Sequence, residues 1–150
     1  KLSRSLTLCT AKGSEELYSF SIEALDYWQQ RLDFQIPIKV LGNIDCTDGV
    51  ITFIHSEELG YRGSASLPIN FDGTLRKATI RIKKDMSKSC YLIVLIHEFG
   101  HVLGADHSSQ GIMSRSSCNE PPLEPSRRTL DQIRSATQIS DIRYQISDIR

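Results

Sequence analysis

Three histidines, one glutamate and two glycines fall within eleven residues of this 150-residue chain: His97-Glu98-Phe99-Gly100-His101-Val102-Leu103-Gly104-Ala105-Asp106-His107. On a helix, residues four apart share a face, so His97 and His101 can aim their ring nitrogens at one point. Imidazole binds zinc at about 2.0–2.1 Å, and a catalytic zinc takes three protein ligands and keeps one position for water. Glu98 follows the first ligand, where a carboxylate can take a proton from that water. Gly104 can adopt a positive φ and end the helix, which lets the chain turn back and bring in His107. Ile112-Met113-Ser114 follows shortly after. The expected chemistry is metal-assisted hydrolysis through a zinc-bound water, with Glu98 as general base.

A histidine pair on an apolar helix can also be purely structural. Against that, three of the four histidines of the chain lie in this one stretch. Each further fixed position reduces chance matching roughly tenfold, because no residue type much exceeds about a tenth of average usage. Met113 alone would read as adaptable core filler, which is its expected physical role here. His55, the remaining histidine, lies in an apolar run and is read as a structural residue at a strand end.

The long motif and the methionine beyond it resemble the metzincin zinc peptidases, whose extended motif and Met-turn match His97 to His107 and Met113. Ser108, directly after the third ligand, is similar to the matrixin (matrix metalloproteinase) branch. The resemblance implies a zinc endopeptidase, with His97, His101 and His107 as ligands, Glu98 as the catalytic base and Met113 beneath the site. It also implies an edge strand that pairs with the substrate backbone, at Gly63, Ser64, Ala65, Ser66 and Leu67, and a primed-side pocket wall over residues 114–123. The implied fold is α/β (α+β): a twisted, mixed five-stranded sheet with two packed helices, an active-site cleft, and a small C-terminal part holding the Met-turn and a last helix. Two departures from the matrixin pattern bear on metals and processing. Residues 56–90 hold no histidine and few acidic residues, so a second zinc is not expected, and calcium is considered only near Asp72. Cys9 does not sit in the family's cysteine-switch motif, so a minimal, already mature catalytic domain is expected.

Patterning supplies the elements that position these residues. Residues 4–11 alternate and read as a strand. Ser14 offers an N-cap to a helix reaching about Asp33, with Leu17, Phe20, Ala24, Leu25, Trp28 and Leu32 on its apolar side. Ile38 to Ile44 form a second strand, giving a βαβ unit with a parallel pair. Gly49 to His55 read as a central strand, Gly60 to Pro68 as an exposed edge, and Ala78, Ile80 and Ile82 as one face of a further strand. The motif helix is expected from about Ser89 to Leu103, and a last helix from Ser126 to about Ile139.

The composition bounds the rest. Eighteen basic and eighteen acidic residues give a net charge of zero, which removes a whole-chain argument for nucleic acid or an anionic membrane. No apolar run reaches the length of a membrane span. The chain opens at Lys1 with no leader pattern. The partners expected are a peptide or protein substrate only, with the chain acting as a monomer. Cys9, Cys46, Cys90 and Cys118 allow three complete pairings. Their placement leans toward Cys9–Cys46 and Cys90–Cys118 in an oxidising, secreted or extracytoplasmic setting; free thiols are the alternative.

Residues 1–137 are read as the catalytic domain and 138–150 as an appended segment. That segment carries the hexapeptide Gln-Ile-Ser-Asp-Ile-Arg twice with a period of seven, placing Ile139, Ile142, Ile146 and Ile149 on one helical stripe. It reads as an extension of the last helix or a duplication remnant, with a partner-binding helix as the rival. For the whole chain, the rival from another class is a zinc-binding interaction protein that has lost catalysis. Retention of Glu98 argues against it.

Overall fold

Two helices dominate what holds the functional residues. In the computed structural model, α1 spans Leu17–Arg31 and α2 spans Lys88–Leu103. The structure describes residues 6–10, 17–36, 38–40, 51–56, 63–66, 78–83, 86–114, 118 and 121–136. Ser14, Leu67, Asp72 and the repeated segment 138–150 lie outside them, as do Cys46 and the side chains of Cys9, His55, Ser64 and Ser66.

The start of α2 is fixed by Ser87, whose hydroxyl accepts the Cys90 N–H at 3.2 Å, satisfying one of the donors a helix leaves open at its first turn. Its end is fixed by Gly104 at φ 115°, with the Ala105 N–H bonded to Gly100 O at 2.9 Å and the Gly104 N–H to His101 O at 3.1 Å. A side chain at that φ would be strained, and a Cβ there would also meet the Ala136 Cβ at 2.7 Å, so glycine is needed twice over.

Five short extended segments pair along their backbones: β1 (Leu6–Thr10), β2 (Ile38–Val40), β3 (Ile51–Ser56), β4 (Gly63–Ser66) and β5 (Ala78–Lys83), in the order β2-β1-β3-β5-β4. The pairs β1–β2, β1–β3 and β3–β5 are parallel, and β4–β5 is antiparallel with Ala65 opposite Ile80. His55 lies opposite Ile82.

The fold expectation nevertheless needs correction. A five-stranded sheet as the frame of the interior is not what the described packing shows; that interior is mostly helical. Among the residues whose side chains are described, its buried hydrophobic residues come from α1 and its C-terminal turn, from α2, from residues 105–113, from a helix over 127–136, and from Ile80 and Ile82 on β5. The reason lies in α2, where Tyr91, Ile93, Val94, Leu95, Ile96, Phe99, Val102 and Leu103 are all buried. A helix apolar around most of its circumference must be covered on all sides. It is therefore central to the described packing, with α1 on one side and β4 and β5 on another.

On the α1 side, Ala24 and Trp28 are fully buried, and the Trp28 indole N–H donates to the carbonyl of Ile96 at 2.9 Å. That bond satisfies a polar group that would otherwise cost stability in the core. Cys90 at the head of α2 is disulfide-bonded to Cys118.

Candidate metal centre

The spacing of His97, His101 and His107 produces the convergence it suggests. One ring nitrogen from each lies within 4.8 Å of the others, near enough for a single ion to reach with bonds of about 2.0–2.1 Å after small side-chain rotations. The ring centroids are 5.0 Å apart for His97–His101, 5.2 Å for His97–His107 and 4.7 Å for His101–His107.

The outward nitrogens are tied down. His97 Nδ1 lies 2.8 Å from Ile112 O, and His101 Nδ1 lies 2.8 Å from Ala105 O. A backbone carbonyl can only accept, so each Nδ1 carries the proton and donates it, which leaves the Nε2 lone pair for a ligand. Burial, aided by the neighbouring rings and opposed by the bond to the Ile112 carbonyl, holds the His97 pKa down at about 4. His97 is therefore neutral at physiological pH, the form that binds metal. The donor set fits zinc: three imidazoles converging from a helix and the turn after it.

Glu98 points from the same helix and is buried at 7% exposure, with no hydrogen bond or ion pair among the described residues. Burial pushes its carboxyl up to about 7. An unpaired buried acid usually marks function, because packing alone gives no reason to desolvate it.

β4 passes close by. A Cβ on Gly63 would come within 2.6 Å of Val94 Cγ1 and 3.3 Å of Glu98 Cγ, so Gly63 lets the strand approach α2 where the acid sits. Ala65 packs against the core. Gly63 and Ala65 thus turn toward the helix, and the backbone edge of β4 is the part that could meet a peptide.

Met113 is fully buried and lies against α2. A Cβ on Gly100 would meet its Sδ at 2.6 Å and Trp28 Cζ2 at 2.8 Å. Gly100, one of the unspecified positions of the motif, is thus a residue that sequence reasoning passed over: it makes room for the methionine and the tryptophan at once. Ser108 has a physical role beyond its value as a family marker. Its N–H donates to Met113 O at 3.0 Å, joining the third-histidine segment to the turn, whose Ser114 N–H returns to Gly111 O at 3.0 Å.

The helix over 127–136 braces the segment carrying His107. Gln132 accepts the Asp106 N–H at 3.0 Å and donates to Asp106 Oδ2 at 3.4 Å. Nothing in the local sequence marked Gln132, since it lies 26 residues away from Asp106.

No helix among the described residues is long and apolar enough to cross a membrane. Compared with protein-family models and with curated proteins, the chain finds no match in either.

Proposed function

We propose that the chain is a zinc-dependent endopeptidase, metzincin-like and closest in pattern to matrixins, that hydrolyses peptide bonds in extended polypeptides. Glu98 carries this reading: a buried carboxyl on α2, directly after the first of three histidines whose ring nitrogens converge. His97, His101 and His107 would hold the ion. A bound zinc ion supplies Lewis acidity, polarising the scissile carbonyl and bringing the pKa of water in the site toward neutrality.

Glu98 takes up a proton from that water on a carboxylate oxygen and delivers it to the departing amine. A pKa of about 7 suits a group that must do both. The Nδ1 bonds of His97 and His101 keep their rings from turning away during the cycle. β4 is the last strand in the pairing order, so its outer edge can accept an extended substrate by strand addition, giving affinity through backbone bonds. Residues 114–123 would wall the pocket for the residue after the cut. The Cys90–Cys118 disulfide supports a secreted or extracytoplasmic location as part of the same proposal.

The test is incubation with denatured protein and a quenched peptide library, with and without a chelator. Cleavage that the chelator abolishes and added zinc restores is the expected result. Metal binding without any cleavage would favour a zinc-binding interaction protein instead.

A further inference from the structure

The segment Leu123-Glu124, which bonds to Ile112, is gripped from outside by two residues of α1. The Tyr27 hydroxyl donates to Leu123 O at 2.6 Å. One helical turn on, Arg31 forms a two-pronged pair with Glu124, Nε to Oε2 at 2.6 Å and Nη2 to Oε1 at 2.7 Å. Arg31 also donates to Tyr27 O at 2.8 Å, and its guanidinium carbon sits 3.7 Å from the centre of the Tyr27 ring.

These contacts do not stop at residue 124. The Glu124 carbonyl accepts the Ile112 N–H at 3.1 Å, and the Ile112 carbonyl accepts His97 Nδ1–H at 2.8 Å. An unbroken series of short contacts therefore runs from α1 through Leu123-Glu124 and Ile112 to the first histidine.

We propose that Tyr27 and Arg31 are positioning residues for His97, fixing through Glu124 and Ile112 the carbonyl that sets the tautomer and ring angle of that histidine. This rests on the reading of the three histidines as a metal centre. An ion pair as exposed as Arg31–Glu124, where the glutamate side chain is 70% accessible, adds little to stability. What it supplies is geometry. A guanidinium fork accepts one planar arrangement of a carboxylate, whereas a lysine ammonium is a point charge without that constraint. Tyr27 is almost wholly buried, and burial raises its pKa well above the ordinary tyrosine value, so its hydroxyl stays a neutral donor.

The experiment uses the full chain stripped by chelator and titrated with Co2+ against a competing chromophoric chelator, reading affinity, the cobalt absorption spectrum and the thermal midpoint of each variant. Removing a direct partner of a metal-ligating histidine weakens affinity by about 10–100-fold. Tyr27 and Arg31 act further out, so Tyr27→Phe and Arg31→Ala are each expected to weaken Co2+ binding by about 3–10-fold and to shift the cobalt bands. Arg31→Lys, which keeps the charge and most of the stem, is expected to behave like Arg31→Ala rather than like wild type, and it decides the matter should Arg31→Ala fold poorly. Arg134→Ala is the control. It removes another cross-molecule pair, to Asp33 at 3.4 Å, that does not reach the turn, and it should leave affinity and spectrum unchanged. Variants with wild-type affinity and bands, whether or not the midpoint falls, would overturn the proposal. Failure of the wild-type chain to bind Co2+ at all would instead overturn the metal-centre reading on which it rests.

Discussion

His97 and His101 on one side and His107 on the other reach the same point by different physics. The first two ride on a sixteen-residue helix that is buried nearly all round, and each has its outer nitrogen locked by a backbone carbonyl. His107 is exposed on an irregular segment. That segment is steadied by the cap at Gly104, by Gln132 on Asp106 and by Ser108 on the turn at Met113. The helix makes a rigid half-site, and the turn after it makes an adjustable one. The third histidine is thus placed by separate small contacts, each of which can be weakened on its own.

The largest effect expected from probing this contrast is chemical. Glu98→Gln should leave metal content intact, since the carboxylate is not among the converging donors. Peptidase activity should fall by about 10²–10⁴-fold, the usual contribution of a general base. Cleavage at near wild-type rate would remove Glu98 from the mechanism.

The same variant has a pH signature in metal-free protein. Glu98 has a folded pKa of about 7 against an ordinary value of 4.5, so its protonated form favours folding below the lower value, and this is lost as pH rises through the upper. His97, at about 4 against 6.5, works the other way: stability is present above 6.5 and lost as pH falls toward 4. The two slopes oppose each other between 4.5 and 6.5. Glu98→Gln removes only the first. It should gain about 1–3 kcal/mol over wild type at pH 8 and little at pH 4.5, as followed by denaturant unfolding with chelator present. An equal gain at both pH values would show that the carboxyl is not pushed up by burial.

Gly100→Ala tests the rigid half. Its new methyl group must displace Met113 or Trp28, and overpacking of this kind costs about 1–3 kcal/mol. A denaturant midpoint unchanged from wild type would mean the helix and the turn are less closely fitted than described.

The smallest expected effect lies in the adjustable half. Gln132→Ala removes two bonds at an exposed site and should cost no more than about 1 kcal/mol of stability. Zinc affinity should fall several-fold with it, because the segment bearing His107 loses a brace. Unchanged affinity, measured by competition, would assign the placement of His107 to Gly104 and Ser108 alone.

How much of this was legible in the sequence follows the same division. The ligand spacing, Glu98, the cap at Gly104 and the bounds of α2 are local facts, written in a window about as long as the helix itself. Tyr27 and Arg31 meet Leu123 and Glu124 across 96 and 93 residues, and nothing in the spacing of α1 distinguishes a clamp from a core stripe. Gly100 was hidden for a related reason: what it excludes is a side chain from elsewhere in the fold. The strands were read from alternation and Gly/Pro punctuation, which give pairing candidates but not which layer fills the interior. The described core is centred on α2, whose apolar character shows in the run Tyr91 to Ile96.

The central claim is that three histidines form one metal site. Elemental analysis of chelator-stripped, re-metallated protein, wild type beside His101→Ala, tests it most directly. One zinc per chain in the wild type and none retained by the variant is the expected result. A wild-type ratio near zero, or a ratio that His101→Ala leaves unchanged, would contradict it.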